Sequence, residues 1–86
     1  MHTVEILEKA VDLAVRLGYT VRQECFAGSG GGGCELQGRK YLFLDLDVSP
    51  EERLEQAADV LRHEPTAPEL PMPPELRELL APIPNP

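Results

Sequence analysis

The two cysteines are the side chains of this sequence best suited to chemistry, because a thiolate binds metals, attacks electrophiles and forms disulfides. Cys25 and Cys34 flank a glycine-rich run, so we expect them to lie near each other across the base of a hairpin, as two buried free thiols. A disulfide and a metal site are the alternatives, the latter with His63 as a further ligand. The paired Cys-x(2–4)-Cys spacing of structural zinc sites is missing.

The run between the cysteines is the second candidate, and it consists of Gly28, Ser29, Gly30, Gly31, Gly32 and Gly33. A phosphate-binding P-loop ends in Gly-Lys-Ser/Thr and opens a helix, whereas Cys34 and a strand follow this run. We interpret it as a loop that joins two strands. The alternative is a loop whose bare backbone amides become ordered over a ligand or a partner.

Two aspartates, Asp45 and Asp47, end the most apolar segment, in an arrangement similar to the aspartyl pair of haloacid-dehalogenase-type phosphotransferases. That chemistry needs a doubly wound sheet, for which we expect this chain to be too short. We expect Asp45 to cap backbone groups or to face solvent, and Asp47 to start the next turn. A divalent-cation site that adds Glu51 or Glu52 is the alternative.

Histidine and serine complete no catalytic motif. The pair His63-Glu64 is followed by Pro65, so the second histidine of a His-Glu-x-x-His zinc motif is absent. Ser29 falls in the glycine run and Ser49 suits a helix cap, which leaves no nucleophile with a neighbouring base. We therefore predict no catalytic residue and no cofactor, which favours a protein that is not an enzyme.

Length and charge narrow the classes of partner. The 86 residues carry a net charge of −7, with 15 acidic against 8 basic side chains. Nucleic acids and anionic membranes attract clustered lysine and arginine, so we expect neither as a partner. The sequence has no apolar run of membrane-spanning length and no signal-peptide pattern, and we expect a cytoplasmic protein with one small core.

The elements that must position these residues follow from hydrophobic periodicity. Helical spacing predicts helices over residues 3–17, with Thr3 as the N-cap, and 50–63, with Ser49-Pro50 at its start. Alternating or apolar segments predict three strands over residues 19–26, 34–37 and 41–46, with a type II′ turn at Gly38-Arg39. The fold class is therefore α+β, in the order α-β-β-β-α. We expect a three-stranded antiparallel sheet with the last strand in the centre and both helices on one face, within a domain of residues 1–64.

Residues 65–86 form a proline-rich C-terminal arm that holds eight of the nine prolines. Most of it should be extended, with a short helix at residues 74–80. The arm also carries a set of apolar side chains that we expect to dock on the domain or on a partner: Leu70, Met72, Leu76, Leu79 and Leu80.

Several motifs resemble those of a small uncharacterised bacterial protein family. They are the glycine-rich turn, Cys-x-Leu-x-Gly at residues 34–38, the basic pair Arg39-Lys40, the apolar strand that ends in Asp, and the Glu-rich helix. The stretch Leu70-Pro-Met-Pro-Pro-Glu-Leu-Arg77 resembles that family's closing Pro-Pro-x-Leu/Val-Arg element. The order of elements is also similar to the non-catalytic, N-terminal half of ImmA/IrrE-type metallopeptidase domains. Because the zinc-binding helix motif is missing, this resemblance implies the fold core without the catalysis.

The absence of catalytic groups and the small core predict a non-catalytic protein-interaction or assembly module. An open-faced sheet favours self-association. We therefore expect a homodimer, formed by strand pairing or by exchange of the proline-rich arm, or a complex with another protein chain. The alternative is a small metal-binding or thiol redox module that uses Cys25, Cys34 and His63.

Overall fold

A computed structural model describes residues 2–28 and 30–81. Met1, Ser29 and residues 82–86 lie outside the described residues, so the predicted glycine loop is described without its serine and the predicted arm only as far as Ala81. The described part of the chain forms three α-helices, one 3-10 turn and a three-stranded sheet, which confirms the α+β class. No helix in these ranges is both long and apolar enough to cross a bilayer.

The first two helices begin and end close to the predicted residues. Helix α1 spans Thr3–Arg16, and the chain leaves it through Gly18, whose φ of +95° suits the left-handed position after a helix. Its N-cap is His2, one residue before the predicted Thr3, and no side chain caps it. Helix α2 spans Pro50–Arg62, and its predicted cap is confirmed, since the Ser49 hydroxyl accepts the Glu52 N–H at 3.2 Å.

The sheet is mixed, so the prediction of an entirely antiparallel sheet was wrong. Its strands are β1 (Tyr19–Glu24), β2 (Gly32–Leu36) and β3 (Arg39–Asp45), in the spatial order β1-β3-β2. β2 and β3 are antiparallel, whereas β1 and β3 are parallel. β1 and β2 therefore lie two strand spacings apart, about 10 Å, and β3 occupies the position between them.

The centre of the sheet is the most apolar strand, as predicted, because it alone is covered by neighbours on both sides. Leu42 and Leu44 of β3 are fully buried.

The turn that leads from β2 into β3 was predicted one residue too late. Gln37 and Gly38 have φ values of 51° and 78°, the two left-handed positions of a type I′ turn, and Arg39 already belongs to β3.

Both helices pack on one face of the sheet and form the core with it. Its fully buried large side chains include Leu13 of α1 and Leu61 of α2, which lie with Leu42 and Leu44 in one apolar cluster.

Residues 65–81 pack against this helical layer. They form a 3-10 turn at Ala67–Glu69 and helix α3 at Pro74–Leu80, and Leu76 of α3 is completely buried in the core cluster. Two arginines fix the segment by their side chains. Arg16 donates to the Pro71 carbonyl at 2.9 Å, and Arg62 donates to the Leu79 carbonyl at 3.0 Å. The described part of the arm therefore belongs to the folded body.

Candidate interaction face

The side of the sheet opposite the helices, which we call the open face, follows from strand alternation and register. Leu42 and Leu44 point into the core, so their neighbours on β3 point the other way. Residues paired across strands lie on the same face. The open face therefore consists of Thr20, Arg22 and Glu24 of β1, Tyr41 and Phe43 of β3, Gly32, Cys34 and Leu36 of β2, and Arg39 at the start of β3.

Aromatic rings form the centre of the open face. Tyr41 and Phe43 stack with their ring centroids 5.8 Å apart, and Phe26 meets Phe43 edge-on at 6.0 Å. All three residues are only half-buried, and Leu36 beside them is 55% exposed. Three partly exposed rings beside an exposed leucine give this face an apolar surface, and apolar surface of this kind often marks an interaction site.

The charge of the sheet differs from that of the rest of the chain. The three strands contain three basic residues (Arg22, Arg39, Lys40) and three acidic ones (Glu24, Glu35, Asp45), so their net charge is zero. The whole net charge of −7 therefore lies outside the strands. Exposed acidic side chains cover α2: Glu51, Glu52, Glu55 and Asp59.

One buried carboxylate holds the edge of the open face together. Asp45 is completely buried at the end of β3, so of its two expected roles it caps backbone groups and does not face solvent. Its Oδ1 accepts the N–H of Phe26 at 3.0 Å and the N–H of Asp47 at 2.9 Å. The carboxylate thereby joins the segment after β1 to the turn after β3.

Two opposing effects set the pKa of Asp45. Burial raises this pKa, but hydrogen bonding from the backbone N–H groups of Phe26, Asp47, Gly28 and Gly30 lowers it further than burial raises it. The net pKa lies below the ordinary value of an aspartate. Its second oxygen, Oδ2, is buried and has no partner with full hydrogen-bond geometry among the residues that the structure describes.

The glycine run is partly a strand and lies close to α2. Gly32 and Gly33 belong to β2, so the connecting loop is shorter than predicted. A Cβ at Gly31 would overlap the Gln56 side chain, and one at Gly33 would lie 3.1 Å from Val60 Cγ2. The run also lines a shallow groove of about 260 Å³ together with Phe26 and Phe43. Close packing against α2 therefore explains two of the glycines without a phosphate ligand.

The two cysteines do not form the predicted pair. β3 lies between β1 and β2, so Cys25 and Cys34 are not neighbours across a hairpin. The register offsets them by five positions along the strands, about 16 Å, as well as by two strand spacings. That separation far exceeds the reach of a disulfide. Both thiols are free and exposed, which corrects the expectation that they are buried.

Cys25 is also a poor nucleophile. The negative charge of Asp47 raises the pKa of the Cys25 thiol above its ordinary value, and desolvation by neighbouring atoms, a hydrogen bond with Asp47 and the charge of Asp45 raise it further. The thiol therefore stays protonated at neutral pH.

The predicted metal ligands are not brought together. His63 lies at the end of α2, where its ring Nδ1 is 2.7 Å from the Asp59 carbonyl. Asp47 instead accepts the Ala27 N–H at 2.7 Å, so it helps to hold the loop after β1. Within residues 2–28 and 30–81, no three His, Cys, Asp or Glu residues are grouped as a metal site.

A polar cluster at the opposite end of the sheet fastens α2 to the strands. The Tyr19 hydroxyl donates to Glu64 at 3.1 Å, and Lys40 reaches the same carboxylate at 3.3 Å while lying 4.8 Å from the Tyr19 ring centroid. Burial, followed by the hydrogen bond and charge of Glu64 and the charge of Glu35, raises the pKa of Tyr19 to about 12. Tyr19 is therefore neutral and acts as a structural donor.

The apolar residues predicted for the arm lie between α2 and α3. Leu76 is in the core, and Leu70, Met72, Leu79 and Leu80 pack partly buried against it. A cavity of about 240 Å³ remains between these elements, lined by Leu61, Ala67, Met72 and Leu80 among others. In this chain the arm thus contacts its own domain.

The residues that sequence reasoning missed are the aromatic ones. Phe26, Tyr41 and Phe43 are three of the chain's four aromatic side chains, and all four lie in described positions. The sequence contains a pattern that could have identified two of them, because Tyr41 and Phe43 alternate with Leu42 and Leu44 along the strand. The segment reads as uniformly apolar, so periodicity alone suggested burial on both faces rather than one face left open.

A scan against protein-family models found no match, and neither the curated proteins nor the solved structures gave one. The resemblances drawn from short motifs therefore stay predictions, and the site itself must support any function assigned to this chain.

Proposed function

We propose that this protein is a non-catalytic protein-interaction module whose binding surface is the open face of its sheet. The observation that carries the proposal is the half-buried aromatic group of Phe26, Tyr41 and Phe43, with the exposed Leu36 beside it. Association with a protein would remove this apolar surface from water, which is the main favourable term in most protein complexes.

A protein fits this surface better than the other classes of ligand. Bases of single-stranded nucleic acid stack on exposed aromatic rings, but such sites also need a positive groove for the phosphates. Here Arg22 and Arg39 are accompanied by Glu24, and Arg22 is already bound to Glu24 at 2.8 Å. The chain's net charge of −7 further opposes a polyanion.

The metal or thiol module is the less favoured alternative. Its three residues, Cys25, Cys34 and His63, lie at the end of β1, in β2 and at the end of α2. Such a module needs its thiols or ligands within bonding distance of one another. This geometry supports interaction rather than thiol or metal chemistry.

Site-specific photo-crosslinking in the cells that make the protein tests the proposal. A benzoylphenylalanine in place of Leu36 should give a discrete adduct with a protein, whereas one in place of Val15 on α1, which is 56% exposed, should not. Adding Tyr41→Glu should remove the adduct, because a charge would then lie in the buried centre. Equal crosslinking from both positions, or none from position 36, would contradict a binding role for the open face.

A further inference from the structure

We propose that the partner on the open face is a second copy of this chain, which packs sheet against sheet to form a homodimer. The inference rests on the proposed function and adds the identity of the partner. Two faces related by a two-fold axis present the same patch to each other, so the patch must be complementary to itself.

The charge distribution favours this arrangement. A chain of net charge −7 repels its own copies through most of its surface, because the excess acidic residues lie outside the strands. The strands are neutral, and the open face carries both signs side by side, with Arg22 and Glu24 exposed by 55% and 45% of their side chains. Two copies that meet through this face keep the acidic helices on the outside, where solvent screens them.

The size of the face suits a weak dimer. Three strands about 4.8 Å apart and about 20 Å long give a patch of about 300 Å², so two copies would bury on the order of 600 Å², which is below the range of stable interfaces and suits a weak, transient dimer. Because so small an interface gives weak association, we expect a dissociation constant of about 10–100 µM.

Packing through the face is favoured over pairing through the edges. Both edge strands are protected, since β2 has only five residues and β1 carries Arg22, Gln23 and Glu24. Exchange of the arm is also less favoured, because Leu76 is already fully buried in its own domain. The aromatic side chains at the centre of the face, by contrast, are only half-buried within the chain, so contact with a second copy would remove more of their apolar surface from water.

Sedimentation equilibrium of the full-length protein from about 1 µM to about 1 mM tests the dimer, since this range spans the expected dissociation constant. The apparent mass should rise from 9.5 kDa towards twice that value. Leu36→Glu should weaken dimerisation by about tenfold or more, and Leu36→Lys should weaken it as well, because either charge would be buried. The matched control Val15→Glu adds the same charge on α1 and should leave the dissociation constant within about twofold.

The outcomes separate this inference from the proposed function. Leu36 is exposed, so its variants should keep the wild-type circular dichroism spectrum, and a shift in mass then reports association alone. A monomer throughout the range, or equal effects of the position 36 and position 15 variants, would overturn the homodimer. If that happens while position 36 still crosslinks to a different protein in cells, the interaction role survives. If position 36 crosslinks to nothing, both proposals fail.

Discussion

Replacing Leu76 with alanine should lower the free energy of unfolding by about 3 kcal/mol, which is typical of leucine-to-alanine changes in a well-packed core. Leu76 belongs to α3 in the proline-rich segment, yet its side chain is completely buried among core residues from α1, α2 and the sheet. The substitution removes this apolar surface and leaves a cavity. For a domain of this size the melting temperature should fall by about 15 °C.

Urea unfolding followed by circular dichroism measures this effect, with Leu46→Ala as the matched control. Leu46 is 43% exposed, so the same chemical change there should alter stability by less than about 0.5 kcal/mol. Equal effects at positions 76 and 46 would show that the proline-rich segment is not part of the folded body.

Replacing Asp45 with asparagine should lower the melting temperature at pH 7 by about 10 °C, since two backbone N–H groups depend on a buried charged acceptor. Oδ1 receives both of them, from Phe26 and from Asp47. The substitution keeps the size of the side chain but removes the charge, and it places amide protons in a site surrounded by donors. The loop after β1 and the turn after β3 should loosen together.

The pH dependence follows from the direction of the pKa shift. The pKa of Asp45 is lowered in the folded protein, whereas in the unfolded chain it should be about 3.9. The folded state therefore binds this proton less tightly than the unfolded chain does. The ionised Asp45 stabilises the folded state fully above the pKa of the unfolded chain, and this stabilisation is lost as the pH falls through the lower pKa of the folded protein.

Thermal melts between neutral and acidic pH should show the wild type and Asp45→Asn converging as the pH falls below about 4. Asp59→Asn, on the exposed surface of α2, is the control and should stay parallel to the wild type. A constant difference between the wild type and Asp45→Asn down to pH 2 would show that the carboxylate is not the stabilising group.

The helices were predictable because their signals are local. Ser49-Pro50 with Glu52 specifies the start of α2 within four residues, and the leucine and alanine spacing of α1 identifies its buried side. The direction of β1 was not predictable in this way. Whether β1 runs parallel or antiparallel to β3 depends on the path that the connection to β2 takes, and the residues of β1 do not encode that path.

The candidate site was less predictable than the fold for a related reason. The cysteines and glycines were chosen as candidates because of their residue types. The structure places Cys25 and Cys34 apart, and it packs Gly31 and Gly33 closely against α2. The open face matters because the described chain covers Tyr41 and Phe43 only in part. That property belongs to the tertiary arrangement, and strand alternation alone does not reveal it.

The most direct test of the open face as a binding surface compares the two natural cysteines of the unmodified protein. Cys34 lies on the open face in β2, and Cys25 lies just after β1 with its thiol against Asp47, so the two thiols serve as probe and internal control. Each is alkylated with a maleimide, in the cells that make the protein and in purified protein at about 1 µM, where a weak complex dissociates.

We expect alkylation of Cys34 to be at least about fivefold slower in cells than in the dilute purified protein, because a partner then covers it. The rate at Cys25 should change far less between the two conditions. Unchanged rates at both cysteines, or equal slowing of both, would contradict the claim that this protein works by burying the open face of its sheet.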